Sequence, residues 1–203
     1  MTHEDAEWDE RYASAEQVWS GQPNEALVAE VGDLEPGTAL DVGCGEGADA
    51  IWLAGRGWQV TALEVSTVAL ERAAASAEKV GAHVEWVNAG LLDAALPSSG
   101  FDLVSAQYPA LLKTPTSDAE RALLAAVGTR GHLLVVHHTV VDVEKAKAHG
   151  CDPADYVSPA DVAALLDDES WEVKWEEGRP RHVCVGAGAH HKDDTVLHAQ
   201  RRS

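Results

Sequence analysis

The chain has 203 residues, 45% of them hydrophobic and 24% charged, and its 34 acidic against 15 basic side chains give a formal net charge of −19. This length is enough for one domain that buries a substantial core without disulfides or metal ions. The negative field repels phosphate backbones and anionic membrane surfaces, so we expect neither a nucleic acid nor a membrane as partner.

Apolar runs and helical segments alternate along the chain after a polar start. Runs rich in β-branched and apolar residues predict five successive strands, Thr38–Val42, Trp58–Glu64, Val84–Asn88, Phe101–Ala106 and His132–His138. Helical periodicity predicts the segments between them, Ala48–Ala54, Ser66–Val80 with Ser66 as N-cap, and Asp118–Val127. Later elements are a capped helix with proline at its first position over Ser158–Asp167, a strand over Trp171–Glu176, and a last strand over Asp194–Arg201, preferred to Arg181–Gly186.

This order predicts an α/β protein with a Rossmann-like, doubly wound sheet. The sheet is expected to have seven mostly parallel strands, an antiparallel C-terminal strand and helices on both faces. Because no internal repeat or low-complexity linker is present, we predict a single domain over residues 1–203. Within it, residues 1–34 form an N-terminal cap segment and residues 35–203 the Rossmann-like core.

A glycine-rich turn follows the first predicted strand and leads into a helix. Residues 41–47 read DVGCGEG. The glycines let the backbone turn tightly and approach a ligand without a Cβ in the way, and the helix N-terminus adds N–H donors and partial positive charge. Such a turn suits a nucleotide-bearing cofactor, although GxGxxA over residues 43–48 also matches dinucleotide-binding folds. A tight turn without a ligand is the structural alternative.

An acid at the end of the second strand narrows the choice of cofactor. Glu64 lies 21 positions after Gly43, where a carboxylate accepts hydrogen bonds from both ribose hydroxyls. We expect it to be accessible to solvent without a ligand. Asp41 and Glu46 place negative charge at the turn, which is unfavourable beside a pyrophosphate and favourable beside the sulfonium and amino groups of S-adenosyl-L-methionine. No Tyr-x-x-x-Lys motif is present, so an NAD-dependent oxidoreductase is the weaker alternative.

The residues around the turn resemble a known family. The segment ALDVGCGEGADAIWLAGRGWQVTALEVSTVALERA is similar to motifs I and II of class I S-adenosylmethionine-dependent methyltransferases. More narrowly, the opening EWDERYASAEQVWSGQPNEALV and the closing DTVLHAQRR resemble small bacterial methyltransferases related to the tellurite-resistance and thiopurine methyltransferases. The resemblance covers most of the chain and implies S-adenosyl-L-methionine as cofactor and S-adenosyl-L-homocysteine as product.

The resemblance also implies which residues bind the cofactor. The expected contacts, from the methionine end through the ribose to the adenine, are Asp41, Gly43, Cys44, Gly45, Gln107, Glu64, Val65, Gly90 and Leu91. Gly90 stands where the family usually has an acid that contacts the adenine amino group. Asp93, three residues later, either substitutes for that acid or is a surface residue.

Two further regions are predicted to complete the site. In open parallel sheets ligands bind beyond the carboxyl ends of the strands, which here places Tyr108, His137 and His138 near the acceptor as candidate catalytic residues. Methyl transfer to a thiolate or another soft anion needs no general base. By resemblance the N-terminal segment, with Trp19, is a cap over the cofactor, and plain packing of the first helix is the alternative.

Cysteine and histidine spacing predicts no metal site. The three cysteines, Cys44, Cys151 and Cys184, form no CxxC pair, and His182, His190, His191 and His198 show no regular ligand spacing. The acidic start lacks the features of a signal peptide, and no apolar run approaches the roughly 18 residues of a membrane span, so a cytoplasmic protein is expected.

These features together predict transfer of a methyl group to a small-molecule acceptor that is a thiol, phenol, amine or metalloid oxyanion. A non-enzymatic protein that binds S-adenosylmethionine or S-adenosylhomocysteine is the alternative from another class. The sequence makes no prediction of oligomeric state.

Overall fold

A computed structural model of the protein describes residues 3–139, 142–148, 152–183 and 185–203. The strands are β1 Thr38–Val42, β2 Gln59–Glu64, β3 Val84–Asn88, β4 Phe101–Gln107, β5 Val127–His138, β6 Trp171–Pro180 and β7 Asp193–Arg201. The helices are α1 His3–Ala13, α2 Glu25–Val31, α3 Ala48–Gly55, α4 Thr67–Val80, α5 Asp118–Ala126, α6 Val143–Ala148 and α7 Pro159–Ala163, with a 3₁₀ turn at Pro153–Asp155.

The strands of the described residues form one sheet in the order β3-β2-β1-β4-β5-β7-β6. The pairs from β3 to β5 are parallel, and β7 is antiparallel to both β5 and β6. The predicted fold class is therefore confirmed. The chain returns from the edge strand β3 to place β4 beside β1, and this reversal opens a crevice at the carboxyl ends of the two strands.

Both faces of the central strands are buried, as expected for a parallel sheet covered by helices. On β4, Val104 and Ala106 belong to one apolar cluster with residues of α5 and α7, while Leu103 belongs to a second cluster with residues of α2 and α3. Along β5, successive residues likewise belong alternately to the first and the second cluster. No helix in the described part of the chain is long and apolar enough to cross a membrane.

Local capping explains where the helices begin. The Ser66 side chain accepts a hydrogen bond from the Ala69 amide at the start of α4, which confirms the predicted N-cap. A capping box between Ser158 and Asp161 starts α7. That helix is shorter than predicted, because the amides beyond it, from Leu165 onward, bond the carbonyl three residues back instead of four.

The C-terminal strands differ from the prediction mainly in length. β5 begins directly after α5, and β6 continues to Pro180 through an irregularity at Gly178. The preferred last strand is confirmed, and the described residues of the alternative, Arg181–Gly186, form a loop. Residue 184 is outside the described residues.

Candidate functional site

A cleft of about 260 Å³ lies at the carboxyl ends of β1, β2 and β4, beneath the N-terminal segment. All the residues predicted to bind the cofactor line it: Trp19, Asp41, Gly43, Cys44, Gly45, Glu64, Val65, Gly90, Leu91 and Gln107. Of the predicted catalytic candidates, Tyr108 and His138 also line it. His137 is absent from the lining, and burial together with the neighbouring His138 lowers its pKa to about 4. Nearly all the predicted site residues thus lie together at the carboxyl ends of the strands.

The glycine turn is held against β2 and leaves space on the cleft side. The amides of Gly43 and Cys44 both donate to the Leu63 carbonyl at 2.9 Å. Gly43 has φ +71°, and a Cβ built on it would meet no atom within 4 Å. A Cβ on Gly45 would instead come within 2.9 Å of the Tyr12 hydroxyl oxygen. Gly43 therefore faces the open cleft, whereas the space beside Gly45 is filled by the N-terminal segment.

Glu64 joins the two loops that form the floor of the cleft. Its carboxylate accepts the Gly45 amide at 3.0 Å and the Ser66 amide at 2.9 Å. The residue is only 6% exposed, so the expectation of a solvent-accessible acid is wrong. The loop after β1 and the loop after β2 approach each other closely and bury Glu64. This burial raises the pKa of the Glu64 carboxyl.

Two buried acceptors in the cleft have no hydrogen-bond partner among the described residues. They are Asp41 Oδ2 and Gln107 Oε1, while the amide nitrogen of Gln107 donates to the Ser105 hydroxyl at 3.1 Å. Burial, followed by the charges of Asp49 and Glu64, raises the pKa of Asp41 well above its ordinary value. An acceptor buried in this way is costly unless a donor reaches it. This end of the cleft is therefore suited to a cationic, hydrogen-donating group.

A third buried acid beside the turn was missed by the sequence analysis. Asp49, in the first turn of α3, accepts the backbone and side-chain amides of Asn24, both at 2.7 Å. Burial raises the pKa of its carboxyl. Its position in the first helical turn after the glycines was the available signal, since acids there complement the helix dipole. Asp49 ties the start of α2 to the floor of the cleft.

Glu46 does not present its charge mainly to the cleft, as the sequence analysis assumed. Its carboxylate accepts the amides of Val18 and Trp19 at 3.0–3.2 Å and pairs with Arg72 at 3.0 Å. Arg72 in turn donates to the Ala15 carbonyl at 2.7 Å. The Glu46 charge thus anchors residues 15–19 over the turn.

The aromatic residues of the N-terminal segment cover the glycine turn. Trp8, Tyr12 and Trp19 line the cleft, and the Trp19 indole donates to the Tyr12 hydroxyl at 2.9 Å. Arg11 lies over the rings of Trp8 and Trp19, at 5.0 and 5.2 Å from their centroids. Burial raises the pKa of Tyr12 above its ordinary range. The segment is packed against the core and also forms a wall of the cleft, so the cap and packing interpretations are compatible.

The side of the cleft expected to hold an adenine is mostly apolar. Val65, Gly90 and Leu91 line it. Asp93 is exposed and outside the lining, but its Oδ2 lies 3.7 Å from the place that a Cβ of Gly90 would take. The Asp93 carboxylate therefore lies close to the place that an acidic side chain at position 90 would occupy.

At the opposite end of the cleft, one buried carboxylate contacts three side chains. Asp194 is 3% exposed and accepts hydrogen bonds from the Tyr108 hydroxyl at 2.7 Å and from His138 Nδ1 at 3.2 Å. It also pairs with Arg181 Nε at 3.1 Å. Tyr108 has φ +53°, a left-handed conformation that turns its ring onto His138. The sequence did not lead us to predict Asp194 or Arg181 as site residues. An acidic residue at the first position of the predicted last strand was a usable signal for Asp194.

Among the described residues, no group of three or more histidine, cysteine, aspartate or glutamate side chains could hold a metal ion. His191 stacks on His138 and lies beside His190, while His198 bonds His132 and Glu30. Burial raises the pKa of the Cys44 thiol, which makes it a poor nucleophile. Cys151 and Cys184 are outside the described residues.

Comparison with known proteins agrees with this geometry. Residues 39–129 match a family model described as a methyltransferase domain. Uncharacterized methyltransferases of Mycobacterium bovis and Mycobacterium tuberculosis are 36% identical over 90 residues, which cover 44% of this chain and 45% of each relative. The match therefore spans less than half the length of these relatives.

Two solved structures illustrate the likeness of fold. One, from work on the conversion of a disulfide bond into a thioacetal group during echinomycin biosynthesis, has a TM-score of 0.73 at 23% identity and covers 99% of this chain and 94% of that one. The other is the N-methyltransferase NodS of Bradyrhizobium japonicum in complex with S-adenosyl-L-homocysteine, with a TM-score of 0.69 at 19% identity and 98% coverage of both chains. Residues 39–129 are thus similar to a methyltransferase domain, and nearly the whole chain shares its fold with NodS.

Proposed function

We propose that the protein transfers the methyl group of S-adenosyl-L-methionine to a small-molecule nucleophile and releases S-adenosyl-L-homocysteine. The observation that carries the proposal is the pair of buried, unpartnered acceptors, Asp41 Oδ2 and Gln107 Oε1, in the cleft beside the glycine turn. An unsatisfied buried acceptor costs about 1–3 kcal/mol. The ammonium group at the methionine end of the cofactor is a donor that matches both.

The other residues of the cleft fit the rest of the same molecule. A carboxylate has about four lone-pair sites, and Glu64 bonds the amides of Gly45 and Ser66, which leaves lone-pair capacity for the ribose. Val65 and Leu91 offer apolar contact to the adenine, and Asp93 is positioned to accept from its amino group. When bound, the cofactor supplies an electrophilic methyl group. The chain's own task is to position the acceptor in line with it and to exclude water.

The names of similar proteins support this proposal. The mycobacterial relatives are named as methyltransferases, and NodS, which is named as an N-methyltransferase, was solved with the product of this cofactor. The acceptor of a relative does not transfer to this chain, since a shared fold hosts many reactions.

Binding and turnover are tested in two steps. Titration calorimetry should detect one site for S-adenosyl-L-homocysteine per chain, and a panel of thiols, phenols, amines and metalloid oxyanions should reveal at least one acceptor through cofactor-dependent product. Binding without product from any acceptor would favour a non-enzymatic binder. Absence of binding by the folded protein would reject the proposal.

A pair of glycine variants locates the site. Gly43→Ala fills the open cleft side of the turn and should weaken binding at least about tenfold, which corresponds to 1.4 kcal/mol. Gly81→Ala is the matched control, because Gly81 has nearly the same φ, +70°, and equally open surroundings at the end of α4. Both variants should lose similar stability, and only Gly43→Ala should lose affinity. Equal affinities would place the ligand elsewhere.

A further inference from the structure

The network around Asp194 is built by the pairing of β5 with the last strand, β7. In the antiparallel register of β5 and β7, Asp194 lies directly opposite His138 at the carboxyl end of β5. Asp194 Oδ1 contacts His138 Nδ1, and its Oδ2 is shared by the Tyr108 hydroxyl and Arg181 Nε. A buried carboxylate with three donors holds all of them in fixed places.

Ring stacking fixes the plane of the His138 imidazole. The Tyr108 ring lies 4.4 Å away on one side, and the His191 ring is 3.6 Å away and nearly parallel. A hydrogen on Nδ1 directed at Asp194 leaves the lone pair of the neutral ring on Nε2. His138 lines the cleft, so a methyl acceptor bound there can lie against this ring.

The lining around His138 indicates what kind of acceptor fits. The nearby walls are apolar, formed by Pro109, Ala110, Leu111, Val183 and Val185. Among the lining residues that the structure describes, Arg181 is the one with a permanent positive charge, and Asp194 neutralises it. The opposite end carries the buried acids Asp41, Asp49 and Glu64. An anion has no free cation to bind here and is repelled by those acids.

We propose, on the basis of the methyl-transfer function above, that His138 Nε2 is the general base for an uncharged, largely apolar acceptor whose hydroxyl or thiol group carries its proton at neutral pH. Asp194 is the positioning residue that sets the tautomer and the ring orientation of His138. This excludes metalloid oxyanions, which are already anionic, from the acceptors considered above.

The reaction balances without another reactant. The acceptor oxygen or sulfur gives its proton to Nε2 and uses an electron pair to form a bond to the methyl carbon. The bond between that carbon and the cofactor sulfur breaks, with its electron pair going to sulfur. The products are the methylated acceptor, neutral S-adenosyl-L-homocysteine and a His138 imidazolium stabilised by Asp194, which then loses its proton to solvent.

The pH dependence of this step is set by several groups. Burial lowers the pKa of His138 below its ordinary 6.5; Asp194 opposes this shift, and Arg181 and His190 add to it. His137, Tyr108 and His191 also contact its ring. Because only the neutral ring accepts a proton, kcat should fall as the pH drops through this lowered pKa and should be flat above it.

The test compares kcat, at saturation, for two acceptors of similar size: a phenol that is un-ionised at the assay pH, and a nitro-substituted phenol that is largely ionised and should therefore have the higher KM. His138→Asn should lower kcat by about 10²–10⁴ with the un-ionised phenol and only slightly with the ionised one, and it should remove the acidic limb of the pH profile. Asp194→Asn should lower kcat more than it changes KM and should move that limb to lower pH. His132→Asn, on the same strand but outside the cleft lining, is the matched control.

The outcomes separate this inference from the proposed function. Unchanged binding of S-adenosyl-L-homocysteine with the selective loss described above supports it. An equal loss with both phenols, or no loss with either, overturns it while methyl transfer by the unmodified protein stands. Because Asp194 also pairs with Arg181, thermal unfolding of Asp194→Asn is measured in parallel; if that variant does not fold, the two-acceptor comparison with His138→Asn decides the question.

Discussion

The buried acids at the glycine turn differ in the hydrogen bonds that their carboxylates accept. Asp49 has both amides of Asn24, Glu64 has the amides of Gly45 and Ser66, and Asp41 has an oxygen with no partner among the described residues. The Asp49 carboxylate, with both oxygens bonded to Asn24, chiefly stabilises the fold, whereas Glu64 keeps lone pairs and Asp41 an unpaired oxygen for a ligand. Individual substitutions at these positions should therefore have distinct effects.

Glu64→Ala should weaken both binding and folding. Loss of the hydrogen bonds to a charged group should lower the free energy of binding S-adenosyl-L-homocysteine by about 1.5–3 kcal/mol. It also leaves the buried amides of Gly45 and Ser66 without their acceptor, so the free energy of unfolding should fall. Calorimetry and chemical denaturation measure the two effects, with the exposed Glu71→Ala on α4 as control. Unaltered affinity would show that Glu64 does not hold the ribose.

Asp41 should make ligand binding depend on pH. Its pKa is raised in the folded protein, so it retains a proton at pH values where an exposed aspartate is ionised. A ligand ammonium favours the ionised form, so affinity should rise with pH until Asp41 is ionised in the free protein, and binding below that pH should release protons. Calorimetry in buffers of different ionisation enthalpy counts them. Asp41→Asn should abolish the release, and proton uptake by the unmodified protein would contradict the argument.

At the scale of elements, the N-terminal segment is tied to the core by acids at both of its ends. Asp9 in α1 accepts the Ser66 hydroxyl at 2.6 Å at the start of α4, and Glu46 accepts the amides of Val18 and Trp19. The aromatic side chains between them form one wall of the cleft. We therefore expect the closure of the segment to be coupled to binding.

Glu46→Gln should loosen this segment without disturbing the sheet. It removes the charge that pairs with Arg72 and one of the oxygens that accept the amides of residues 18 and 19. Trypsin cleavage at the exposed Arg11 should become faster in the variant, and S-adenosyl-L-homocysteine should slow it in the unmodified protein. Deletion of residues 1–20 should leave a folded sheet with poorer affinity. Cleavage that is independent of ligand, together with normal binding by the truncated chain, would contradict a lid.

For the whole molecule, the net charge of −19 is a source of self-repulsion. The Debye length falls from about 30 Å at 0.01 M salt to about 10 Å at 0.1 M, so salt should screen this repulsion. Ion pairs such as Lys174–Glu30 are weakened by the same salt, but they are few against an excess of 19 negative charges. Tm should therefore rise between 10 and 300 mM NaCl. Choline chloride should have the same effect, and a falling Tm would show that ion pairs dominate.

The fold was largely readable because its signals are local. The apolar run of β1, the capping serine of α4 and the alternation of Trp171–Glu176 in β6 each lie within one element. The lengths of β5 and β6 were underestimated, because strand ends depend on pairing with other strands. α7 was overestimated, because its later turns have a helical pattern while their amides bond three residues back.

The sequence by itself determined the class of fold and which residues meet at the cleft beside the glycine turn, since the spacing of the glycines, Asp41 and Glu64 follows from one strand-turn-helix-strand unit. Only the tertiary structure decided that Glu64 is buried and that Glu46 anchors the N-terminal segment. It also decided that His138, rather than His137, meets the cleft and that Asp194 lies behind it. The physical reason is distance along the chain: Asp194 is 56 positions from His138, and β-sheet register alone brings them together.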